Sequence, residues 1–300
     1  MAEVVRRNGV YGGWTHAGNT RVFVRVPTEL KRQYASSSNG SNGNGSHPDL
    51  DTTPIVLVHG LSSSRTLKPL IRALGTRRPV FAPDLPGFGL SDHPIHPHDI
   101  PGLADALRRW LIDNELAPAI VVGVAFGCQV AVDLAAAYPA AVERLVLVGP
   151  MFDPEARSPG RLALRWARNA PRSSPRLAPT VVHDFIDAGP WRSVRTIRRA
   201  LDDPIEEKLA DIEAPTLVVR PQRDRLVREA WTERLAELIP DAELVVLEKA
   251  AHAIGPRTAS RLTALLVPFL ADSEDPADVE DEDEDEDDSD AKAKEKQAAG

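Results

Sequence analysis

Six short apolar runs rich in β-branched residues punctuate the chain: IVLV at 55–58, PVFA at 79–82, AIVV at 119–122, RLVLV at 144–148, TLVV at 216–219 and LVVL at 244–247. Their apolarity is continuous rather than alternating, which marks strands covered on both faces, as in a parallel sheet. An earlier stretch, TRVFVRV at 20–26, alternates apolar and polar side chains and reads as a half-buried strand. Helical spacing separates several of the runs. Leu103, Leu107, Trp110 and Leu111 share one face, and CQVAVDLAAA at 128–137 is a small-residue helix. Strands alternating with helices predict an α/β fold with a doubly wound, mostly parallel sheet.

Residues 1–150 and 214–272 form the expected α/β core, with a flexible Ser/Gly/Asn-rich linker between strands at 36–52. Residues 151–213 break the rhythm with prolines and helical stretches, and are expected to form a helical cap over the carboxyl ends of the strands. Between 156 and 200 they carry ten arginines against Asp184 and Asp187. Arg157, Arg161, Arg165, Arg168 and Arg172 recur every three or four residues, a spacing that can place them on one helical face. Such a face is ordinarily just solvated; the sharper readings are a funnel for an anionic ligand or a dock for the chain's own acidic tail.

That tail begins at 273. Residues 273–290 hold thirteen acids and no base, while the whole chain carries a net charge of −8, so the remainder is mildly basic. A self-repelling block that cannot bury apolar surface is expected to be disordered over 273–300, acting as a solubilising tail. One cysteine allows no intrachain disulfide and suits a reducing compartment. The opening MAEVVRRNGVYGGW has no apolar h-region, and no run of eighteen apolar residues follows, so neither a signal peptide nor a transmembrane segment is expected. The expected location is the cytoplasm; oligomeric state is left open.

Four segments fall at the carboxyl ends of predicted strands, where open α/β sheets place ligands. In Val58-His59-Gly60-Leu61, Gly60 lets the backbone turn and aim the Leu61 N–H into the cleft. Asp84-Leu85-Pro86-Gly87-Phe88-Gly89-Leu90-Ser91 is a glycine-punctuated loop. In VGVAFGC at 122–128, Gly123 and Gly127 flank Ala125 so that strand turns tightly into helix, with the Phe126 N–H at the helix N-terminus. Asp224 and His252 each follow a strand and suit an acid–base couple. His93, His96 and His98 suggest a metal at first sight, but the intervening prolines extend that loop and no cysteine or carboxylate pattern completes a site, so no metal is expected. No dinucleotide or Walker pattern calls for a cofactor, and the basic cap has too few aromatics for nucleic-acid binding.

HGL at 59–61, DLPGFGLS at 84–91, GVAFG at 123–127, RDRLV at 223–227 and AAHAI at 250–254 together resemble the blocks of the α/β-hydrolase superfamily, in its single-domain group with a helical cap. The resemblance spans about residues 14–271. It implies that Leu61 and Phe126 N–H form an oxyanion hole, that Asp224 is the triad acid and that His252 is the triad base. It also implies that Ala125 stands where the nucleophile belongs and, lacking a heteroatom, cannot be one. The acid's loop, Arg220-Pro221-Gln222-Arg223-Asp224, lacks the glycine usual there. Cys128 should point into helix packing, Ser62, Ser63 and Ser64 should cap the next helix, and Ser91 is too remote to replace residue 125.

Three readings follow. In the first, an enzyme works through His252 and Asp224 as general base, with the oxyanion hole acting on a small carbonyl-type substrate, and no acyl-enzyme forms; C–C bond hydrolases and cofactor-free oxygenases of the superfamily are precedents. In the second, the chain is an inactive homologue that binds a ligand, anionic ones included, or a partner. In the third, it is a serine hydrolase with an engineered alanine at 125. An intact acid, base and oxyanion hole favour the first.

Overall fold

The computed structural model describes residues 5–7, 9–28, 30, 52–154, 157–169, 186 and 189–271. The linker at 36–51 and the tail from 273 lie outside the described residues. The chain divides into two compact units, Met1–Ala264 and Leu265–Gly300; of the second, only helical residues 265–271 are described.

Among the described residues nine strands form one sheet: β1 (Val5–Arg7), β2 (Val10–Ala17), β3 (Thr20–Pro27), β4 (Ile55–Val58), β5 (Val80–Pro83), β6 (Ala119–Val124), β7 (Val142–Val148), β8 (Thr216–Pro221) and β9 (Ala242–Leu247). Their spatial order is β1-β2-β3-β5-β4-β6-β7-β8-β9. The first three strands and the β3–β5 pair are antiparallel, and β5 through β9 run parallel. The six apolar runs are all strands here, and β4 and β6 are buried along their whole lengths.

The strand at β2 escaped the sequence reading because its VYGGWTHA has two central glycines, which weaken a strand pattern. The reason for Gly12 is its neighbour across the ladder. A Cβ there would lie 2.2 Å from Cζ of Phe23, so the ring fills the space a side chain would need.

Connections are helical: α1 (Lys68–Leu74), α2 (Ile100–Asp113), α3 (Gly127–Ala137), α4 (Pro159–Asn169), α5 (Pro190–Asp202), α6 (Glu229–Leu238) and α7 (Pro256–Ala271). From β4 the chain steps to β5 on one side, then crosses back over β4 to β6 and continues to β9 on the other. That reversal of winding falls at β4 and β6, whose carboxyl ends are where a doubly wound sheet receives its ligands. Register keeps the rims level: Val58 pairs with Gly123, Val124 with Val148, and Val148 with Val219.

Between β7 and β8 the described residues include α4 and α5, followed by short 3-10 turns at Ile205–Glu207 and Leu209–Asp211. Within α4, Arg161, Arg165 and Arg168 stand at i, i+4 and i+7 and so share one side of the helix, but they reach different surroundings. Arg157 precedes α4 and pairs with Glu206. Arg165 turns inward to Asp153, whereas Arg161 and Arg168 are exposed. Arg172 and Arg176 lie outside the described residues. The spacing does not announce the partnering carboxylates, Asp153 and Glu206, which sit outside the arginine-rich window.

Candidate functional site

The turn after β6 is the tightest feature of this rim. Ala125 has φ +55°, a left-handed conformation that a residue with a Cβ adopts only where its surroundings hold it. Here the Ala125 N–H donates to the Val148 carbonyl at 2.9 Å, and the Ala125 carbonyl accepts from the Cys128 N–H at 3.1 Å. The flanking glycines are required by close backbone approach. A Cβ on Gly123 would lie 2.8 Å from Cα of Cys128, and one on Gly127 would lie 2.2 Å from the Val58 carbonyl oxygen. Phe126 is the N-cap residue of α3, where backbone N–H groups have no intrahelical acceptor.

Gly60 comes against this turn from β4: its side-chain position lies 3.6 Å from Cβ of Ala125, and Leu61 follows it. His59, fully buried, locks the loop. Its Nδ1 donates to the Gly60 carbonyl at 2.7 Å, and its Nε2 accepts from the Leu85 N–H at 2.9 Å. Both ring nitrogens are engaged, so His59 braces the 59–61 turn against the 84–91 loop. Phe88 stacks between His59 and Phe126, with centroids 5.2 and 5.8 Å away, and Phe152 meets Phe126 edge-on at 6.2 Å.

Asp224 and His252 meet. His252 Nδ1 and Asp224 Oδ2 are 2.7 Å apart, and Oδ1 of Asp224 accepts from the N–H groups of Leu226 at 2.8 Å and Val227 at 3.4 Å. With Nδ1 as donor to the carboxylate, the neutral ring presents Nε2 as an acceptor. The loop without its usual glycine is held by cross-ties instead. Gln222 N–H donates to the Leu247 carbonyl at 3.0 Å, Arg223 N–H to the Ala250 carbonyl at 2.8 Å, and Lys249 N–H to Oε1 of Gln222 at 2.9 Å. Lys249 takes the positive φ, +55°, on the histidine's side.

Gly149, which sequence reasoning passed over, joins the two halves. It directly follows the Val148 whose carbonyl holds Ala125, and its own N–H donates to Val219 at 2.9 Å. At φ +60°, a Cβ there would lie 3.4 Å from Oδ2 of Asp224 and 3.7 Å from Nδ1 of His252. The signal available was a glycine ending the run LVLVG, the same punctuation that marked Gly60. Asp153, also missed, is buried four residues on and accepts from Arg228 Nε at 2.6 Å and from Arg165 at 3.4 Å; Arg165 also reaches the Leu226 carbonyl at 3.4 Å.

The other heteroatoms are spent elsewhere. Cys128 is buried, with its thiol donating to the Gly123 carbonyl at 3.3 Å, and burial pushes its pKa upward, away from the nucleophilic thiolate. Ser63 caps the turn Ser64–Leu67 through the Arg65 N–H at 3.3 Å, Ser64 donates to Asp84 at 2.6 Å, and Ser91 accepts from the Phe23 N–H at 2.8 Å. His93 and His96 are exposed, and Asp99 beside them caps α2 by accepting from Gly102 at 3.0 Å. Among the described residues no His/Cys/Asp/Glu group suited to a metal occurs, and no helix is long and apolar enough to cross a membrane.

A sequence model of the alpha/beta hydrolase family matches residues 55–263. A 2-hydroxymuconate semialdehyde hydrolase of Pseudomonas putida is 28% identical over 263 residues, covering 76% of this chain and 90% of its own. A poly(3-hydroxyalkanoate) depolymerase of Ectopseudomonas oleovorans is 28% identical over 218 residues, covering 65% and 77%. Among solved structures, a serine-to-alanine mutant of a meta-cleavage product hydrolase from Pseudomonas fluorescens IP01, complexed with acetates, aligns with a TM-score of 0.67 at 21% identity over 88% of this chain and 98% of that one. At that identity the likeness speaks for the fold.

Proposed function

The chain belongs to the alpha/beta hydrolase family, and from that premise we propose that it is an enzyme of histidine-led chemistry, acting on a small, polarised carbonyl compound without an acyl-enzyme. His252 is the general base, Asp224 orients it, and the N–H groups of Leu61 and Phe126 receive the developing oxyanion. Ala125 takes the nucleophile's position and leaves room there for water or substrate.

The single observation that carries the reading is the 2.7 Å His252–Asp224 contact poised over Gly149, one residue from the carbonyl that fixes Ala125. A pure binding module needs no such couple. In the proposed sequence, Nε2 of His252 takes a proton from water as its oxygen adds to the carbonyl carbon. The tetrahedral oxyanion rests on the two N–H donors. As the carbonyl re-forms, the leaving carbon or oxygen takes that proton back from the imidazolium, which Asp224 has stabilised meanwhile.

Magnitudes decide which substrates suit such a site. An oxyanion hole with binding alone retains on the order of 10³ to 10⁴ over water, and general-base catalysis adds roughly 10² to 10⁴. That suffices for ketones and enols whose leaving group is a stabilised carbanion, and it is poor for ordinary esters or amides. The Pseudomonas putida relative, named for a hydroxylated semialdehyde, fits the same class.

The test uses two variants. His252→Ala is expected to lower turnover of a vinylogous 1,5-diketone substrate by about 10² or more; binding without turnover in the wild type would overturn the reading. Ala125→Ser is expected to confer p-nitrophenyl ester hydrolysis and fluorophosphonate labelling, and absence of labelling would mean the turn does not present residue 125 to His252.

A further inference from the structure

The sheet ends on two edges of different make. β1 is only three residues long, and a short edge gives little to pair with. β9 runs six residues in unbroken register with β8, and contains no proline and no bulge. Its outward groups can be read from the bonds at either end. Thr216 N–H donates to the Asp241 carbonyl at 2.8 Å and Gln222 N–H to the Leu247 carbonyl at 3.0 Å, so the odd-numbered residues turn their backbone groups to β8. A strand alternates these directions residue by residue, which points the N–H and C=O of Ala242, Leu244 and Val246 away from the sheet. Among the described residues those groups have no backbone partner. The free stretch ends just past the strand, where Arg261 of α7 donates to the Glu248 carbonyl at 3.4 Å.

The side chains along this edge are apolar and partly bare. Val246 is 38% exposed, and Leu244 and Val245 are half-buried. The charges beside them, Glu243, Glu248 and Lys249, are all exposed, and none of these side chains has an ion partner among the described residues.

We propose that β9 is a dimer edge: β9 of a second copy pairs with it antiparallel across a two-fold axis at Val245, joining the two sheets into one. The outward groups set that register. With Val245 on the axis, Leu244 lies opposite Val246 of the second copy, each donating to and accepting from the other, and the axis repeats the pair. Glu243 comes diagonal to Lys249 of the second copy, within reach of two long side chains, and the axis doubles that contact as well. Moving the axis toward Glu243 parts these charges. Moving it to Val246 calls on the Glu248 carbonyl that Arg261 already holds. Charge also separates this occupant from the chain's own tail. The edge carries two acids and one base, and residues 273–290 hold thirteen acids with no base to answer Glu243. The proposal does not depend on turnover at His252.

The test is sedimentation equilibrium of the full chain over a concentration series. Wild type is expected to form a dimer and nothing larger, because the axis uses each edge once. Val246→Pro deletes an N–H that β8 does not use, so the fold should hold while the dimer weakens about tenfold or more. Glu243→Lys alone and Lys249→Glu alone should each weaken it about tenfold, by turning both attractions into repulsions. Mixed in equal amounts, these two charge variants should pair with each other at close to wild-type strength, since each then meets the opposite sign. Should Val246→Pro fail to fold, the charge exchange decides by itself, being confined to exposed side chains. A monomeric wild type, a dimer indifferent to Val246→Pro, or charge variants whose mixture does not recover the dimer would each overturn the proposal. So would a dimer that forms only once residues 273–300 are removed, which would make the tail the occupant of the edge.

Discussion

Two buried carboxylates follow strands of the sheet, and they are built differently. Asp84, at the end of β5, is fully buried against Arg25, whose side chain is 6% exposed; it also accepts from the Ser64 and Leu90 N–H groups at 2.8 and 3.0 Å. Asp153, beyond β7, is 1% exposed, but its cations Arg165 and Arg228 are 18% and 39% exposed. The first carboxylate joins core strands to one another. The second joins the core to the cap helix α4 and to the loop of Asp224. Solvent access of the cation decides what each is worth: a sealed ion pair cannot be broken cheaply, whereas a cation at the edge rehydrates.

The largest effect should therefore follow Asp84→Asn, which strands Arg25 in the interior and is expected to cost about 3–5 kcal/mol of global stability. The readout is the urea midpoint at unchanged slope; a loss below about 1 kcal/mol would dissolve the contrast between the two carboxylates. The pH dependence has a definite sign. Burial alone would raise the pKa of Asp84, but Arg25 together with the Ser64 and Leu90 hydrogen bonds outweighs it, and the folded value lies below the ordinary one. Such a group stabilises fully above its unfolded pKa of about 4 and loses that contribution as pH falls through the folded value. Wild-type stability should thus fall with acid below about pH 4, and the Asn variant should fall less steeply there.

The same contrast explains what the sequence could and could not reveal. Core features were legible wherever the signal was local: an apolar run, a glycine just past it, an acid or histidine beyond. Ala125, Asp224 and His252 stand in such segments, and the ladder register brings the ends of their strands level. What stayed hidden was set by partners distant along the chain. Asp153 meets Arg228 across 75 residues, and Gln222 answers Lys249 across 27, with no pattern in either segment to announce the other. Gly12 belonged to this class too, since its reason is the ring of Phe23 on the next strand. In α4, arginine spacing gives a shared side of the helix, yet nothing in it announces that Arg165 reaches Asp153 or that Arg157, just before the helix, reaches Glu206. Periodicity records which face a residue occupies, not the partner it finds there.

A smaller and more local effect should follow Asp153→Ala. Its arginines can turn to water, so the global cost is expected to be about 1 kcal/mol. The consequence should appear at the cap instead, because Arg165 bridges α4 to both Asp153 and the Leu226 carbonyl, next to the N–H that holds Asp224. Two probes separate the regions. Cys128 is buried beneath the turn at Ala125, so maleimide labelling reports opening of the core, whereas limited trypsin cleavage within 157–199 reports opening of the cap. In Asp153→Ala, cap cleavage should accelerate roughly fivefold, the equivalent of about 1 kcal/mol in local opening, while Cys128 labelling stays within about twofold of wild type. Parallel acceleration of both would mean that the cap and the sheet open as one unit, and that Asp153 is as central a brace as Asp84.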